Sequence, residues 1–154
     1  MNVNYPLTRK ETFSVSLVIF IGFYYLYTVL SVLIPARGIP EGYSRIMAWK
    51  YLLLGLFYWW GAIYFYLLRP AGWVICTASV LNFVMVVFNY LAALLQSGRT
   101  DALTLMAGIC LLLVITCFLF LLSKETRSKF SVSNKSYLLA IGVYGLLLAA
   151  TYIV

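Results

Sequence analysis

The sequence predicts an all-α fold, a polytopic transmembrane helical bundle, and three observations predict it. Apolar residues make up 64% of the 154 and charged residues only 10%, where a soluble domain carries roughly 45–50% and about 25%. The apolar residues gather into five runs, at residues 13–34, 49–68, 73–95, 102–122 and 137–154, each close to the roughly 20 residues that cross a bilayer. The Lys and Arg residues lie between these runs or at their edges, as they do where basic residues orient a membrane protein.

The first run follows a short polar lead carrying Arg9, Lys10 and Glu11. It is longer than the apolar core of a secretory signal and more runs follow it, so it reads as an uncleaved anchor. Pro35, Gly38, Pro40 and Gly42 break the chain after it. Pro40 suits the first turn of the next helix, where Glu41 and Arg45 stand four apart as a surface pair. The second and third runs meet at Leu68-Arg69-Pro70-Ala71-Gly72, too short a joint for anything but a tight turn, so together they read as a helical hairpin. Gln96 to Asp101 is a polar turn. Residues 123–136 form the most polar stretch, a basic loop able to attract anionic headgroups at about 1 kcal/mol per charge. The last run is only 18 residues long, at the lower limit for a span, and the alternative is four spans plus a half-inserted C-terminal helix. The whole chain is expected to be one transmembrane domain.

With five spans, Arg9, Lys10, Arg69, Lys124, Arg127, Lys129 and Lys135 fall on one side, and Arg37, Arg45, Lys50 and Arg99 on the other. The richer side is cytoplasmic by the positive-inside rule. The N-terminus is therefore expected in the cytoplasm and the C-terminus outside, with a bacterial inner membrane as the expected location. The net charge of +7 is spent on topology in this reading, and nucleic acid is not an expected partner.

Chemistry inside a bilayer usually leaves an ionisable residue within a span. All four acids, Glu11, Glu41, Asp101 and Glu125, lie at span ends or in loops, and the chain has no His. A Ser or Cys nucleophile thus lacks its commonest base, and no carboxylate pair is placed for acid–base work. Cys76, Cys110 and Cys117 all sit in apolar runs without a C-x-x-C spacing, so no metal ligand set is expected. The expectation is no enzyme, no catalytic residue, no cofactor and no metal. Small multidrug transporters, comparable in size, depend on a membrane-embedded glutamate that is missing here.

Three constellations remain. Ser79, Asn82, Val86, Asn89 and Ala93 follow a 3-4 spacing in the third run and share one helix face. Two amides in hydrocarbon need partners, so this face is a candidate polar contact with another helix, a second copy or water, or the lining of a pore. Gly142, Gly145 and Ala149 form a smooth candidate packing face on the last run, and Ala107, Cys110, Val114 and Cys117 a similar stripe on the fourth. Tyr24, Tyr25, Tyr27, Tyr58, Trp59 and Trp60 lie deeper than the interfacial belt where such residues gather, as bulky core or as the wall of a pocket for a lipid or flat hydrophobic ligand. In size, basic charge and polytopic pattern, though in no motif, the chain resembles immunity proteins against pore-forming bacteriocins. The expected role is non-catalytic: an accessory, regulatory or immunity-type protein acting by helix–helix contact, its partners the lipid bilayer and either another membrane protein or itself. The alternative is a small oligomeric transporter or pore using the Asn82/Asn89 face.

Overall fold

The computed structural model describes residues 7–33, 45–98 and 100–152. Their regular structure is all helical: α1 (Arg9–Leu33), α2 (Arg45–Tyr66), α3 (Pro70–Gln96), α4 (Ala102–Leu121), α5 (Lys124–Lys129) and α6 (Asn134–Tyr152). A helix lies over each of the five apolar runs. Four of them, α1 over residues 9–30, α3, α4 and α6, are long and apolar enough to cross a membrane. In α2, Lys50 and the polar-tipped rings of Tyr51, Tyr58, Trp59, Trp60, Tyr64 and Tyr66 dilute the apolar character. The helix start expected at Pro40 and the Glu41–Arg45 pair lie outside the described residues.

Local chemistry sets the helix ends. Thr8 and Glu11 cap α1 reciprocally: the Thr8 N–H donates to Glu11 Oε2 at 2.7 Å and the Glu11 N–H to Thr8 Oγ1 at 3.3 Å, a capping box. Asp101 caps α4 by accepting the Thr104 N–H. The polar stretch expected as a loop instead contains α5, which Ser123 caps through the Thr126 N–H. At the far end of α2, the Leu68 N–H donates to the Phe65 carbonyl and the Arg69 N–H to the Tyr64 carbonyl, both at 2.9 Å. This is a Schellman ending, with Leu68 at φ 54° in the left-handed place that usually takes glycine. Pro70 then opens α3, where its missing N–H costs nothing.

The hairpin closes on Gly72. A Cβ there would stand 2.1 Å from the Phe65 backbone nitrogen, so only glycine lets α3 start directly against the end of α2. From that contact α3 runs through the middle of the molecule and packs on α1, α2, α4 and α6. Its best apolar window is 56% buried, against 17% for α4 and for α6. Side-chain size explains the position. Cys76, Thr77, Ala78, Ser79 and Val80 are all small and all buried, so neighbours close in on every side of this segment.

Contacts between helix ends show successive long helices running in opposite directions. At one end Trp73 of α3 donates its indole N–H to the Leu121 carbonyl closing α4, Phe65 of α2 packs on Phe130 after α5, and Trp73 meets Tyr137 of α6 edge-on. At the other, Lys50 of α2 donates to the Thr151 carbonyl of α6 at 2.7 Å.

The glycines make opposite predictions. Gly72→Ala is expected to destabilise the protein by about 3 kcal/mol, the upper range for overpacking, because the obstacle is backbone. At Gly142 an added Cβ meets nothing within 4 Å, so Gly142→Ala is expected to be neutral or to stabilise by up to about 1 kcal/mol through helix propensity. Denaturant titration of both variants in detergent micelles, followed by circular dichroism, checks the contrast.

Candidate functional site: a buried polar seam

Tyr58, Asn82 and Thr151 bring α2, α3 and α6 together. The Asn82 side chain is fully buried, and its Nδ2 lies 3.3 Å from Tyr58 Oη and 3.4 Å from Thr151 Oγ1, donating to both. Tyr58, equally buried, passes its own proton to the Ser79 carbonyl at 3.1 Å. Thr151 passes its proton to the Leu147 carbonyl one turn back, at 2.8 Å. Beside them Tyr25 of α1 packs its ring on Tyr58 at 5.4 Å and stacks on Tyr51 at 5.9 Å. The donors of Tyr58, Asn82 and Thr151 each have an acceptor, and together they tie α2, α3 and α6.

The predicted face on α3 is therefore only partly one unit. Ser79 and Asn82 lie inside the seam, Ser79 contributing its carbonyl while its hydroxyl has no hydrogen-bond partner among the described residues. Asn89, two turns on, is exposed, and its amide pairs with the Tyr152 hydroxyl of α6. Both amides thus turn toward α6. Among the described residues, apolar grooves lie between α1 and α2, along the start of α4, and between α1, α3 and α4, and Ser79, Asn82 and Asn89 line none of these.

The small-residue faces divide. On α4, Ala107, Val114 and Cys117 are buried and Cys110 is half-buried, the smooth stripe meeting α1 and α3; the Cys117 thiol points to the Ser14 carbonyl at 4.0 Å. On α6, Gly142 and Gly145 are exposed, a Cβ on either would meet nothing within 4 Å, and Ala149 is half-buried. The side of α6 that meets α3 carries Ala140, Leu147 and Thr151 instead. Gly142 and Gly145 do not pack against other described residues.

A second polar constellation, which the sequence reading missed, closes the opposite end of the molecule. Glu11, 1% exposed, takes the Lys129 ammonium at 2.9 Å, and Lys129 is itself only 14% exposed. Next to this pair Phe130 is buried on Phe65, and Arg127 donates to the Tyr137 hydroxyl at 2.7 Å. Helix α5 thereby ties the start of α1, the end of α2 and the start of α6. The signal for part of it stands in the sequence: Thr8-Arg9-Lys10-Glu11 before an apolar run is a capping-box pattern. Nothing local points Lys129 at an acid 118 residues away.

Family models, curated proteins and solved structures were all searched, and none matches this chain.

Two predictions follow from the two constellations. Asn82→Leu is expected to cost about 1 kcal/mol, within the range for hydrogen bonds between membrane helices, and Asn89→Leu less than about 0.5 kcal/mol because its partner is exposed; unfolding titrations in mixed micelles separate the two. Lys129→Met is expected to cost about 3 kcal/mol by leaving the Glu11 charge buried alone. Adding Glu11→Gln, which keeps the cap on α1, should restore most of that loss in the same assay.

Proposed function

We propose that this chain is a five-span integral membrane protein that works without catalysis, as an accessory, regulatory or immunity-type protein seated against another membrane protein. The observation that carries the reading is the outward Gly142/Gly145 face of α6. That helix packs chiefly on α3, and its opposite side offers a smooth surface that no other described residue covers. In lipid, helices associate through close backbone approach and interhelical hydrogen bonds, because tails are as apolar as side chains. A flat glycine face is what such an approach requires.

The polar inventory supports the non-catalytic half of the proposal. The Asn82 seam is satisfied from inside one copy, and the buried acid Glu11 is held by Lys129. Both arrangements join helices of one copy to one another, which favours docking over the pore alternative. The fifth span rests on α2. Its 22 residues reach about 33 Å at 1.5 Å each, and its ends meet opposite ends of the neighbouring helices, through Lys50 and through Phe65. The proposed orientation, with the α5 end in the cytoplasm, is supported by the cluster of Arg9, Lys10, Arg69, Lys124, Arg127, Lys129 and Lys135 at that end. The short connections between helices suit a bacterial inner membrane.

The test is purification from native membranes in mild detergent, with mass measurement and protein identification of the intact particle. A stoichiometric foreign subunit, lost on Gly145→Leu while the protein itself stays folded, is the expected result. A defined homo-oligomer that conducts ions, with conductance abolished by Asn82→Leu, would replace this reading with the pore.

A further inference from the structure

A groove of about 370 Å³ runs along the seam of α1 and α2, walled by Val15, Ile19 and Phe23 on one side and by Trp59, Ile63 and Leu67 on the other. Its lining presents no polar surface. Even the Trp59 indole N–H is turned inward, to the Ile19 carbonyl at 3.4 Å. At mid-depth the seam is shut: Gly22 and Gly55 bring the two backbones together, Trp59 lies across Gly22, and Phe23 meets Trp59 edge-on at 4.7 Å. From there the groove opens toward the α5 end, where Leu67 is followed by the left-handed Leu68 and then by exposed Arg69. Arg9, also exposed, begins α1 at the same end. Among the described residues neither guanidinium has an ion-pair or hydrogen-bond partner, whereas Arg127 and Lys129 nearby are committed to Tyr137 and Glu11. Glu11, the acid on this part of α1, is already neutralised by that pairing.

We infer that this groove is a binding site for an anionic phospholipid of the α5-side leaflet, one acyl chain lying between Val15 and Phe23 and the phosphate resting on Arg69 and Arg9. The dimensions agree. Val15 to Phe23 spans about 12 Å of helix at 1.5 Å per residue, close to the roughly 15 Å depth of one leaflet's hydrocarbon. A partner helix is a poor occupant, since it is about 10 Å across and the rim carries the bulky side chains of Phe23, Trp59, Ile63 and Leu67 rather than small residues. An acyl chain slides between such side chains, and the free cations at the open end select a negative headgroup. This inference stands independently of the docking role of α6, which lies on a different helix.

Trp59 makes the site readable by fluorescence. The full-length protein is reconstituted in phosphatidylcholine vesicles containing a minor fraction of either acyl-brominated phosphatidylglycerol or acyl-brominated phosphatidylcholine. The Trp59 contribution is taken as the difference from Trp59→Phe. Bromine on phosphatidylglycerol is expected to quench Trp59 about fivefold more effectively at equal mole fraction, as one added basic contact at the surface implies, and the preference should shrink at high salt. Arg69→Gln combined with Arg9→Gln should bring the two lipids close to parity without removing quenching, and Ile63→Phe, which narrows the groove and leaves the charge in place, should weaken quenching by both. Equal quenching by the two lipids in the unmodified protein would overturn the proposal in favour of ordinary lipid solvation. A preference that survives the loss of both arginines would overturn it too, by assigning the selectivity to another basic cluster. If neither lipid reaches Trp59 in protein purified with a bound subunit, the groove belongs to that subunit and the lipid site is wrong.

Discussion

Hydrocarbon leaves the amide of Asn82 no choice of neighbour. A polar group stranded in a bilayer costs several kcal/mol, and no water is at hand to satisfy it. Among the described residues its donors meet Tyr58 and Thr151, so a single side chain ties α2 and α6 to α3 at one depth and one rotation. The small residues just before it, from Cys76 to Val80, make that meeting sterically feasible. Both conditions fall on the same segment, and the arrangement of the other helices around α3 depends on them.

The two ends of the molecule are held by different chemistry. Near Lys50, Asn82 and Asn89, α6 is attached through hydrogen bonds from its last turn. Near α5 an aromatic contact and an ion pair join the hydrogen bonds: Phe130 packs on Phe65 and Lys129 pairs with Glu11, beside the bonds from Trp73 to the Leu121 carbonyl and from Arg127 to Tyr137. This division matters for α6, which buries little of its surface. In water such a helix would need a wide apolar face against its neighbour. In lipid, apolar burial gives little net drive to association, and localised polar ties at each end fix the helix instead.

What the sequence reveals and what it hides follow from the range of each interaction. Helix existence, the sharp hairpin and the α3 amide face are local or periodic properties, and Pro70, Gly72 and the 3-4 spacing of Ser79, Asn82 and Asn89 carry them. The partners of those residues are not local. Asn82 meets Thr151 across 69 positions and Glu11 meets Lys129 across 118, and in a uniformly apolar helix no amphipathic stripe indicates which side faces a neighbour. For that reason Gly142 and Gly145 look from the sequence like a packing face and lie outward, while the similar stripe of Ala107, Val114 and Cys117 packs inside. The short helix α5 was hidden by its charge, since a basic stretch between apolar runs reads as a loop unless Ser123 is recognised as a cap.

The outer surface then carries two features that an apolar solvent treats differently. A lipid tail gains almost nothing from a smooth glycine face, because it contacts a flat backbone no better than it contacts other tails. Another helix gains close backbone approach there, and with it dispersion and weak Cα–H···O contacts that lipid cannot match. The α1/α2 groove reverses the comparison. Its bulky rim keeps a helix at a distance, while its floor, shut at mid-depth by Gly22 and Gly55 and opening toward Arg69, follows the outline of a single chain with a charged head. Under the two proposals made above, shape rather than polarity decides between protein and lipid as neighbour at these two surfaces, and charge enters only where the groove reaches the headgroups.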